Sequence, residues 1–398
     1  MHPHSSTKIV KFTSIFAALL SMNAVGQALN EAINVQLSAA VSPCSNLLGA
    51  DDGGAVLTGG LLDICGRSSP FGSVPNSQGA STANTQSLAG DARGLLQNAR
   101  GDTGVSQEIT ANWSFFANIE HETLNHDATA LADGFDSDAL RVNAGVNYAF
   151  SANNHLGIAL VSKTHEGDYQ AGGDFSSDSI GARLIADFGL TENTFVQVLL
   201  GRDNTDLDRS RKATFFDTAD GAVIYSLSAS PKSAYSGTET EAAAVLGGSW
   251  LFGGTTLSPT LGVNWQQIDY DTHSEAGNSG LEVTTYANTA DFLQAIIGLQ
   301  ASWAVSADWG VWAPQIGASV INEFENKSRQ LQVSFTGDTR AKRFTYDTEE
   351  GDSSYMTLSA GSVFLLKNGV QFYLNAEHYV GFADYSRTVL SGGLRWEL

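Results

Sequence analysis

One triplet in the sequence has the residue types of an acyl-transfer site. Gly351, Asp352 and Ser353 begin a Gly-Asp-Ser motif of the lipase type, in which the serine would be the nucleophile. No Asp and His pair follows it in the arrangement that such a site requires, and the triplet lies in a predicted loop. Ordinary loop chemistry is therefore the better interpretation, and we expect no enzyme.

Two other groups could bind a metal ion. His121 and His126 flank a predicted polar hairpin, together with three carboxylates that could complete a metal site: Glu120, Glu122 and Asp127. Three aspartates around Gly134 could hold calcium weakly, but their spacing lacks the twelve-residue loop of an EF-hand: Asp133, Asp136 and Asp138. Solvated loops explain both groups, so no metal and no cofactor is predicted.

The two cysteines could form a disulfide. Cys44 and Cys65 are separated by 20 residues, and in an exported chain such a pair would join. The alternative is two buried free thiols.

Charged residues inside strand-like runs are more informative than these groups. Five of them occupy the polar parity of alternating segments, opposite a face that is apolar: Arg141, Lys163, Arg183, Glu241 and Arg395. A charge costs little in a wet lumen but several kcal/mol facing lipid. These five residues are therefore predicted to face the lumen of a barrel, where they could pair with a lumenal segment or set the charge selectivity of a pore.

The elements that must position these charges are long runs with a period of two. From about Val105 onward, apolar and polar residues alternate in segments such as Leu140 to Phe150, Ile180 to Phe188 and Leu293 to Trp303. Counting Trp113 to Glu120 as the first strand gives twelve. The last run ends with apolar residues of one parity, Leu394, Trp396 and Leu398. We predict an all-β fold, a single-chain antiparallel transmembrane barrel of about twelve strands closed by this C-terminal strand.

The connections predict the orientation of the barrel. Five turns are short, near Ser151, Thr191, Gly253, Ser306 and Lys367, whereas the intervening loops are longer and polar: 121–137, 165–177, 204–236, 270–289 and 323–352. Outer-membrane barrels keep short turns in the periplasm and long loops outside. Aromatic residues lie beside the short turns, as in an interfacial girdle.

The N-terminal part has a different character. Residues 1–28 combine Lys8 and Lys11 with an apolar core, which is typical of a signal peptide. Residues 29–84 form a short, weakly patterned segment. Residues 85–104 contain apolar residues on one helical face, although two glycines disfavour a helix there; the barrel would occupy 105–398.

Composition excludes several classes of protein. After residue 30 no apolar run approaches the roughly 20 residues of a membrane helix. The formal charge of −21, with only 21 Lys and Arg scattered along the chain, argues against nucleic acid as a partner.

Three stretches resemble the C-terminal translocator domain of bacterial autotransporters, the type V secretion family. They are the run from Phe116 to Arg209, VWAPQIGASVINEFEN at 311–326, and LLKNGVQFYLNAEHYVGFADYSRTVLSGGLRWEL at 365–398. The resemblance covers roughly 105–398. It implies a twelve-stranded outer-membrane barrel with a lumenal helix, an exported passenger and no cofactor.

The chain departs from the family pattern in three places. It ends in Leu398 where most such barrels end in Phe or Trp, although Trp396 lies two places back on the same face. The passenger is short. Self-cleaving members cut at an Asn-Asn pair, whereas Asn98 is followed here by Ala99, so no cleavage by that route is expected.

Three functions remain open from sequence. The leading prediction is an autotransporter barrel that anchors and exports its own short N-terminal segment. The second is a free-standing outer-membrane channel with a periplasmic, plug-like segment, and the third is a barrel-type hydrolase, which lacks a convincing catalytic constellation. The expected partners are outer-membrane lipid, the barrel-assembly machinery and periplasmic chaperones, and the expected state is a monomer.

Overall fold

The structure is a computed structural model of the 398-residue chain. It describes residues 70–72 and 112–397, apart from 130–131, 152, 220–221, 326, 338–342 and 349. The predicted signal peptide (1–28), the helix at 85–104, the disulfide between Cys44 and Cys65, and Leu398 all lie outside the described residues, as does the segment 29–84 except for Pro70–Gly72. In the described part of the chain, no helix is long and apolar enough to cross a membrane.

The described residues form 21 strands, numbered in chain order: β1 Pro70–Gly72, β2 Trp113–His126, β3 Phe135–Ser151, β4 Asn154–Tyr169, β5 Asp174–Gly189, β6 Thr194–Ser210, β7 Ala213–Ala219, β8 Ala222–Ala229, β9 Lys232–Gly248, β10 Trp250–Phe252, β11 Thr255–Tyr270, β12 His273–Ser274, β13 Val283–Thr285, β14 Asn288–Trp303, β15 Val305–Ala307, β16 Gly310–Glu323, β17 Gln330–Phe335, β18 Phe344–Asp347, β19 Ser354–Leu366, β20 Val370–Val380 and β21 Tyr385–Glu397.

Twelve of these strands close into one antiparallel barrel, which confirms the predicted fold. The order around the wall is β11, β14, β16, β19, β20, β21, β2, β3, β4, β5, β6 and β9, and β9 pairs with β11 again. The closing pair joins the first and last barrel strands, from Ser114 opposite Glu397 to His126 opposite Tyr385. Closure leaves no open strand edge in the membrane, where an unpaired backbone group would cost several kcal/mol.

The alternation of side chains defines an apolar exterior. Ile297 and Ile316 are 63% and 54% exposed, whereas their neighbours of the other parity turn inward. All seven tryptophans lie on the outer parity or in a turn: Trp113, Trp250, Trp265, Trp303, Trp309, Trp312 and Trp396. This pattern is what a surrounding bilayer requires, because a water-soluble barrel would not expose so many large apolar side chains.

Barrel strands extend further at the long-loop end, here called the outer end, than the sequence predicts. β2 continues to His126 and β4 to Tyr169, into stretches predicted as loops. The outward residues there are hydrophilic, for example Glu166 and Asp168, so the apolar alternation is lost although the strand continues. Inward aromatic residues stabilise these extensions instead.

Two further sheets are built from the long connections. β12, β13, β17 and β18 form a four-stranded sheet from the β11–β14 and β16–β19 connections. β7 and β8 form a hairpin between β6 and β9, and β1 pairs with β7 so that Pro70 faces Asp217 and Gly72 faces Phe215. The outer end of the barrel therefore carries ordered structure of its own.

Candidate functional site in the barrel lumen

The inward parity of the barrel strands carries the five charged residues predicted from sequence. Each is buried, with exposed fractions between 1% and 7%: Arg141, Lys163, Arg183, Glu241 and Arg395. The first four belong to neighbouring strands from β3 to β9, and Arg395 lies near the short-turn end of β21. They face the inside of the barrel, and four of them belong to one cluster.

Arg183 is at the centre of one ion-pair group. Its Nη2 donates to Asp203 Oδ2 over 2.8 Å and its Nη1 donates to the other carboxylate oxygen, while its Nε lies 2.9 Å from Glu241 Oε2. All three side chains are at most 3% exposed. A planar guanidinium can satisfy two carboxylates at once, which a lysine could not do with the same geometry.

A second group surrounds β2. Arg141 Nη1 donates to Glu120 Oε2 over 2.5 Å, and Arg387 Nη2 donates to Glu122 Oε2 over 2.6 Å. Arg387 also donates to the hydroxyl of Tyr379 over 2.9 Å and lies over that ring. Each buried charge has an opposite charge beside it, which offsets the cost of removing it from water.

Lys163 and Glu239 connect these groups. The Lys163 ammonium has no hydrogen-bond partner among the described residues, but it lies within electrostatic range of Glu122 and Glu239. Glu239 accepts a hydrogen bond from Gln266 over 2.5 Å. The cluster thus runs from β21 through β2–β6 to β9 and β11.

Five members of this cluster are not among the predicted site residues. Glu120 and Glu122 are interpreted from sequence as part of a solvated loop, with a metal site as the alternative, and Asp203, Glu239 and Arg387 are given no role. A usable signal was present, because all five occupy the same inward parity as the predicted cations. Assigning inward and outward faces up to the true end of each strand would have identified these five residues as inward-facing.

Apolar residues complete this side of the lumen. Phe116, Ile185 and Leu199 belong to one buried cluster with Ala159, Val161 and Ala243. The sequence predicted a small and polar inward face around a wet lumen; on this side that prediction is wrong, since large side chains fill the space. We call the inward residues of β21, β2–β6 and β9 the packed wall.

The opposite side of the lumen is open. A solvent-open cavity lies between β6 and β9 on one side and β11, β14, β16, β19 and β20 on the other. We call the inward residues of the latter five strands the open wall. Its polar lining is mostly neutral. Apart from Gln197 of β6, the polar residues come from the open wall: Ser258, Thr260, Asn264, Gln300, Gln315, Ser319, Ser359, Asn375 and Glu377. Gln300 Nε2 donates to Gln315 Oε1 over 2.7 Å, and both amides are half-buried.

Glycines on the two walls show the difference in packing. A Cβ added to Gly145 would lie 2.5 Å from the Phe116 ring, and one added to Gly201 would lie 2.5 Å from Arg183 Cδ. A Cβ added to Gly317 would lie 2.6 Å from the Ser359 hydroxyl, and its next neighbour is the Leu299 carbonyl oxygen at 3.6 Å. Large side chains therefore cover these glycines of the packed wall, whereas Gly298 and Gly317 of the open wall have small hydroxyl side chains beside them.

Aromatic rings gather at the outer end of the lumen. One group stacks around His126, with Phe135 and Tyr385 at centroid distances of 5.3 and 4.3 Å. A second contains Tyr355, Tyr379 and Phe382, and a third contains Tyr235 and Tyr270. These groups rigidify the strand ends that lie outside the lipid.

A buried carboxylate attaches the β11–β14 connection to the tip of β6. Glu275 accepts from Arg211 Nε over 2.6 Å, from Arg211 Nη2 over 2.7 Å and from Arg209 over 3.1 Å. Burial raises the pKa of the Glu275 carboxyl, but the bonds and charges of Arg211 and Arg209 outweigh burial and hold that pKa below its usual value.

His273 lies beside this contact, stacked on the Tyr235 ring at 3.8 Å. Burial lowers the pKa of its imidazole to about 4, which is the largest effect on it. The neutral form is therefore the one that fits against the ring.

The other candidate groups do not form sites. Asp352 Oδ2 accepts the backbone N–H of Ala383 over 2.6 Å, so the Gly-Asp-Ser triplet joins two outer connections. His121 faces outward, with its Nε2 3.6 Å from Asp138, whereas His126 faces inward, so the two cannot bind one ion. Asp136 is exposed on β3 while Asp133 lies in the preceding loop. Among the described residues, no three His, Cys, Asp or Glu side chains are grouped to hold a metal.

The C-terminal strand β21 is described as far as Glu397. Trp396 is 49% exposed on the outside, and Leu394 is half-buried beside Ala117 and Phe372.

Comparison with known proteins places this geometry in a family. The autotransporter beta-domain family matches residues 115–377. The translocator domain of the autotransporter NalP from Neisseria meningitidis has a similar structure, with a TM-score of 0.61, 14% identity, and coverage of 81% of this chain and all of that one. The β-domain of the Bordetella autotransporter BrkA gives a TM-score of 0.52 at 15% identity, covering 72% of this chain and all of that one. Comparison with curated proteins yields no match.

Proposed function

We propose that this chain, which belongs to the autotransporter family and forms an outer-membrane translocator barrel, carries its own N-terminal residues through the lumen to the cell surface. The barrel would then remain in the membrane as their anchor. Surface display or adhesion would be the biological role of the exported part. The barrel itself would take part in no chemical reaction.

The positions of the two ends of the N-terminal connection carry this proposal. Trp113 begins the first barrel strand opposite Tyr148, at the short-turn end. Pro70–Gly72 pairs with β7, which follows β6 at the outer end. In the proposed arrangement, the residues between them connect one end of the barrel with the other. The apolar exterior is closed to a polar chain, whose backbone groups would lose their hydrogen bonds in lipid, and this supports a route through the lumen.

The length of the connection is sufficient for this route. Residues 73–112 could span about 130 Å when extended, at roughly 3.3 Å per residue. The hydrocarbon core of a bilayer is only about 30 Å thick. The connection can therefore cross the membrane in a compact or an extended form.

The proposal includes the partners expected of such a barrel. The outward apolar face would contact outer-membrane lipid, and the unfolded chain would need periplasmic chaperones and the barrel-assembly machinery before it closes. One chain closes the whole barrel through β2 and β21, which is consistent with a monomer.

Protease treatment of intact cells tests the proposal. An epitope inserted within residues 30–69 is expected to be removed from intact cells. A matched epitope at the Gly253–Gly254 turn, where added groups meet no neighbour, is expected to survive until the outer membrane is permeabilised. Protection of both epitopes in intact cells would instead favour the second function, a free-standing channel with a periplasmic segment.

Conductance in planar bilayers distinguishes the same two functions, because it reports whether the lumen is blocked. Deletion of residues 85–100 is expected to raise the conductance of the purified protein, since the open wall would then face free solvent. An unchanged conductance would indicate that these residues do not occupy the lumen.

A further inference from the structure

The connection between β11 and β14, residues 271–287, is bound to the inner face of the barrel rim at the outer end. We propose that this connection is a gate over the outer opening of the lumen, and that Glu275, bound by Arg209 and Arg211, is its latch. The inference goes beyond the proposed function, because a closed opening would keep external solutes out of the lumen whether the barrel exports a chain or conducts solutes.

Two side-chain contacts place the gate on the lumen side of the wall. Arg209 on β6 and Tyr235 on β9 have the inward parity of their strands, and both are buried. Glu275 accepts a hydrogen bond from Arg209 over 3.1 Å, and the His273 ring stacks on the Tyr235 ring at 3.8 Å. Because β9 lies between β11 and β6 in the wall, the gate starts at β11, crosses the inner side of β9 and reaches β6.

The latch is one carboxylate between two guanidinium groups. Glu275 accepts from both Nε and Nη2 of Arg211, and its Oε2 also accepts the backbone N–H of Val283 over 2.9 Å. The three charged side chains are at most 3% exposed. Removing the carboxylate would take an opposite charge away from two buried cations, which is strongly unfavourable. The closed position of the gate is therefore expected to depend on Glu275.

The backbone attaches the gate to the rim at β9. Lys232 and Ala276 exchange hydrogen bonds over 3.1 and 2.7 Å, and the N–H of Asp271 donates to the carbonyl oxygen of Ser236 over 3.0 Å. The gate is thus attached to β9 and latched at β6. Loss of the latch would free the part of the gate that reaches β6.

A second carboxylate maintains the shape of the gate. Glu282 accepts the backbone N–H groups of Ser279 and Gly280 over 2.9 and 2.8 Å, and the Ser279 hydroxyl over 2.7 Å. These bonds lie within the connection, whereas those of Glu275 join the connection to the barrel. Glu275 and Glu282 therefore form a matched pair, in which the first residue tests the latch and the second tests the local turn.

Two other connections also turn toward the lumen. Phe382, between β20 and β21, packs on the inward ring of Tyr355 at a centroid distance of 4.5 Å. Asp133, between β2 and β3, has its carbonyl oxygen 3.3 Å from the ring nitrogen Nδ1 of His126, and its carboxyl lies within electrostatic range of Arg211. Connections from different parts of the wall therefore approach each other at the outer opening, and Arg211 interacts with two of them.

Thiol labelling from outside the cell tests closure in the full-length protein that carries Cys44→Ser and Cys65→Ser. Leu207→Cys places a thiol on the inward face of β6, and Asp208→Cys places a control thiol on the outward face of the same strand. A membrane-impermeant maleimide is expected to label the Asp208→Cys variant rapidly and the Leu207→Cys variant at least about tenfold more slowly, because labelling of a covered site requires local opening. Equally rapid labelling of both variants would overturn the gate.

Substitution of the latch gives the second comparison. Glu275→Ala is expected to raise the labelling rate of the Leu207→Cys variant about tenfold, and Glu275→Gln, which keeps one acceptor oxygen, is expected to raise it less. Glu282→Ala is expected to leave the rate nearly unchanged. Every variant must show the heat-modifiable mobility of a folded barrel. Equal labelling rates with Glu275→Ala and Glu282→Ala would contradict the assignment of the latch.

A disulfide across the backbone contact gives a readout that does not depend on the thiol at position 207. Because Lys232 and Ala276 exchange both hydrogen bonds, their Cα atoms are about 5.5 Å apart, which a disulfide can span. In the Lys232→Cys, Ala276→Cys variant, mild oxidation is expected to form this bond rapidly, and addition of Glu275→Ala is expected to slow its formation several-fold. Equal rates in the two proteins would overturn the role of Glu275 as the latch.

Discussion

The packed wall and the open wall belong to the same barrel and share the same alternation, yet they use their inward residues differently. The packed wall places large charged, aromatic and aliphatic side chains inside, where they are almost completely buried. Around the cavity the open wall places glycine, serine and single amides, whereas its outer end carries buried side chains such as Ile321, Tyr355 and Tyr379. The comparison indicates that buried ion pairs and apolar contacts fill one side of the lumen, whereas the middle of the other side is less filled.

This division has a physical basis. A barrel of twelve strands is too wide for side chains from all directions to fill it uniformly. Filling one side completely gives that side a core with ion pairs and apolar contacts. The remaining space is then gathered toward the other side.

The largest expected difference between the walls follows from removing a buried cation. Arg183→Ala leaves Asp203 and Glu241 without their partner, and we expect a loss of about 3–5 kcal/mol in the free energy of unfolding. Urea titration of the refolded protein in lipid vesicles measures it. A loss below about 1 kcal/mol would mean that the Arg183 cluster is solvated and that the packed wall does not exist as described.

Aliphatic residues provide the next comparison. Leu199→Ala removes a side chain with no exposed surface and should cost about 2–5 kcal/mol, because its neighbours cannot close the cavity. Ile296→Ala should cost less, because this half-buried side chain packs at the edge of the Ile321 and Tyr355 cluster and part of it already borders the cavity. Equal losses in the same urea experiment would show that both walls are packed alike.

Acid should loosen the outer attachment of the packed wall before it affects the barrel. The pKa of His273 is lowered from 6.5 to about 4, so its stabilising contribution is complete above pH 6.5 and falls as pH drops toward 4. The lowered pKa of Glu275 adds a loss only below its usual value of 4.5. Protease nicking within residues 276–281 should therefore increase between pH 6.5 and 4.5.

A substitution isolates the contribution of the histidine. His273→Phe keeps the ring stacked on Tyr235 but removes the titrating nitrogen, so nicking should become independent of pH between 6.5 and 4.5. Persistence of the same pH dependence in this variant would assign it to another group.

The smallest effect is expected for the amides of the open wall. Gln315→Ala removes the hydrogen bond with Gln300, but both amides are half-buried and can bond to water, so the loss should not exceed about 1.5 kcal/mol. A larger loss of unfolding free energy in the urea titration would mean that Gln300 and Gln315 lie in a closed interior without access to water.

The fold could be predicted because the bilayer imposes a simple rule on each strand. Leu140 to Phe150 and Leu293 to Trp303 alternate along their whole membrane-spanning length, and no other environment explains an exposed apolar face of that size. The outer ends of β2 and β4 escaped prediction, because beyond the lipid both faces carry polar residues and only the inward rings keep the strand in place.

The candidate site could be predicted only in part. Parity alone assigned Arg141, Arg183 and Glu241 to the inward face, where the structure has them. The pairing of Arg183 with both Asp203 and Glu241 depends on the register of β5, β6 and β9, which a single sequence does not specify. The two unlike walls depend on which strands lie opposite each other, and this follows only from closure of the barrel.

The native tryptophans permit the most direct test of which face contacts lipid. All seven lie on the outer parity or in an exposed turn, so the intrinsic fluorescence of the unmodified protein should be strongly quenched in vesicles whose acyl chains carry bromine near the interface. Strong quenching, with little effect of aqueous acrylamide, is the predicted result. Emission that brominated lipid leaves unchanged would contradict the assignment of the apolar face to the membrane, and with it the lumen on which the proposed export depends.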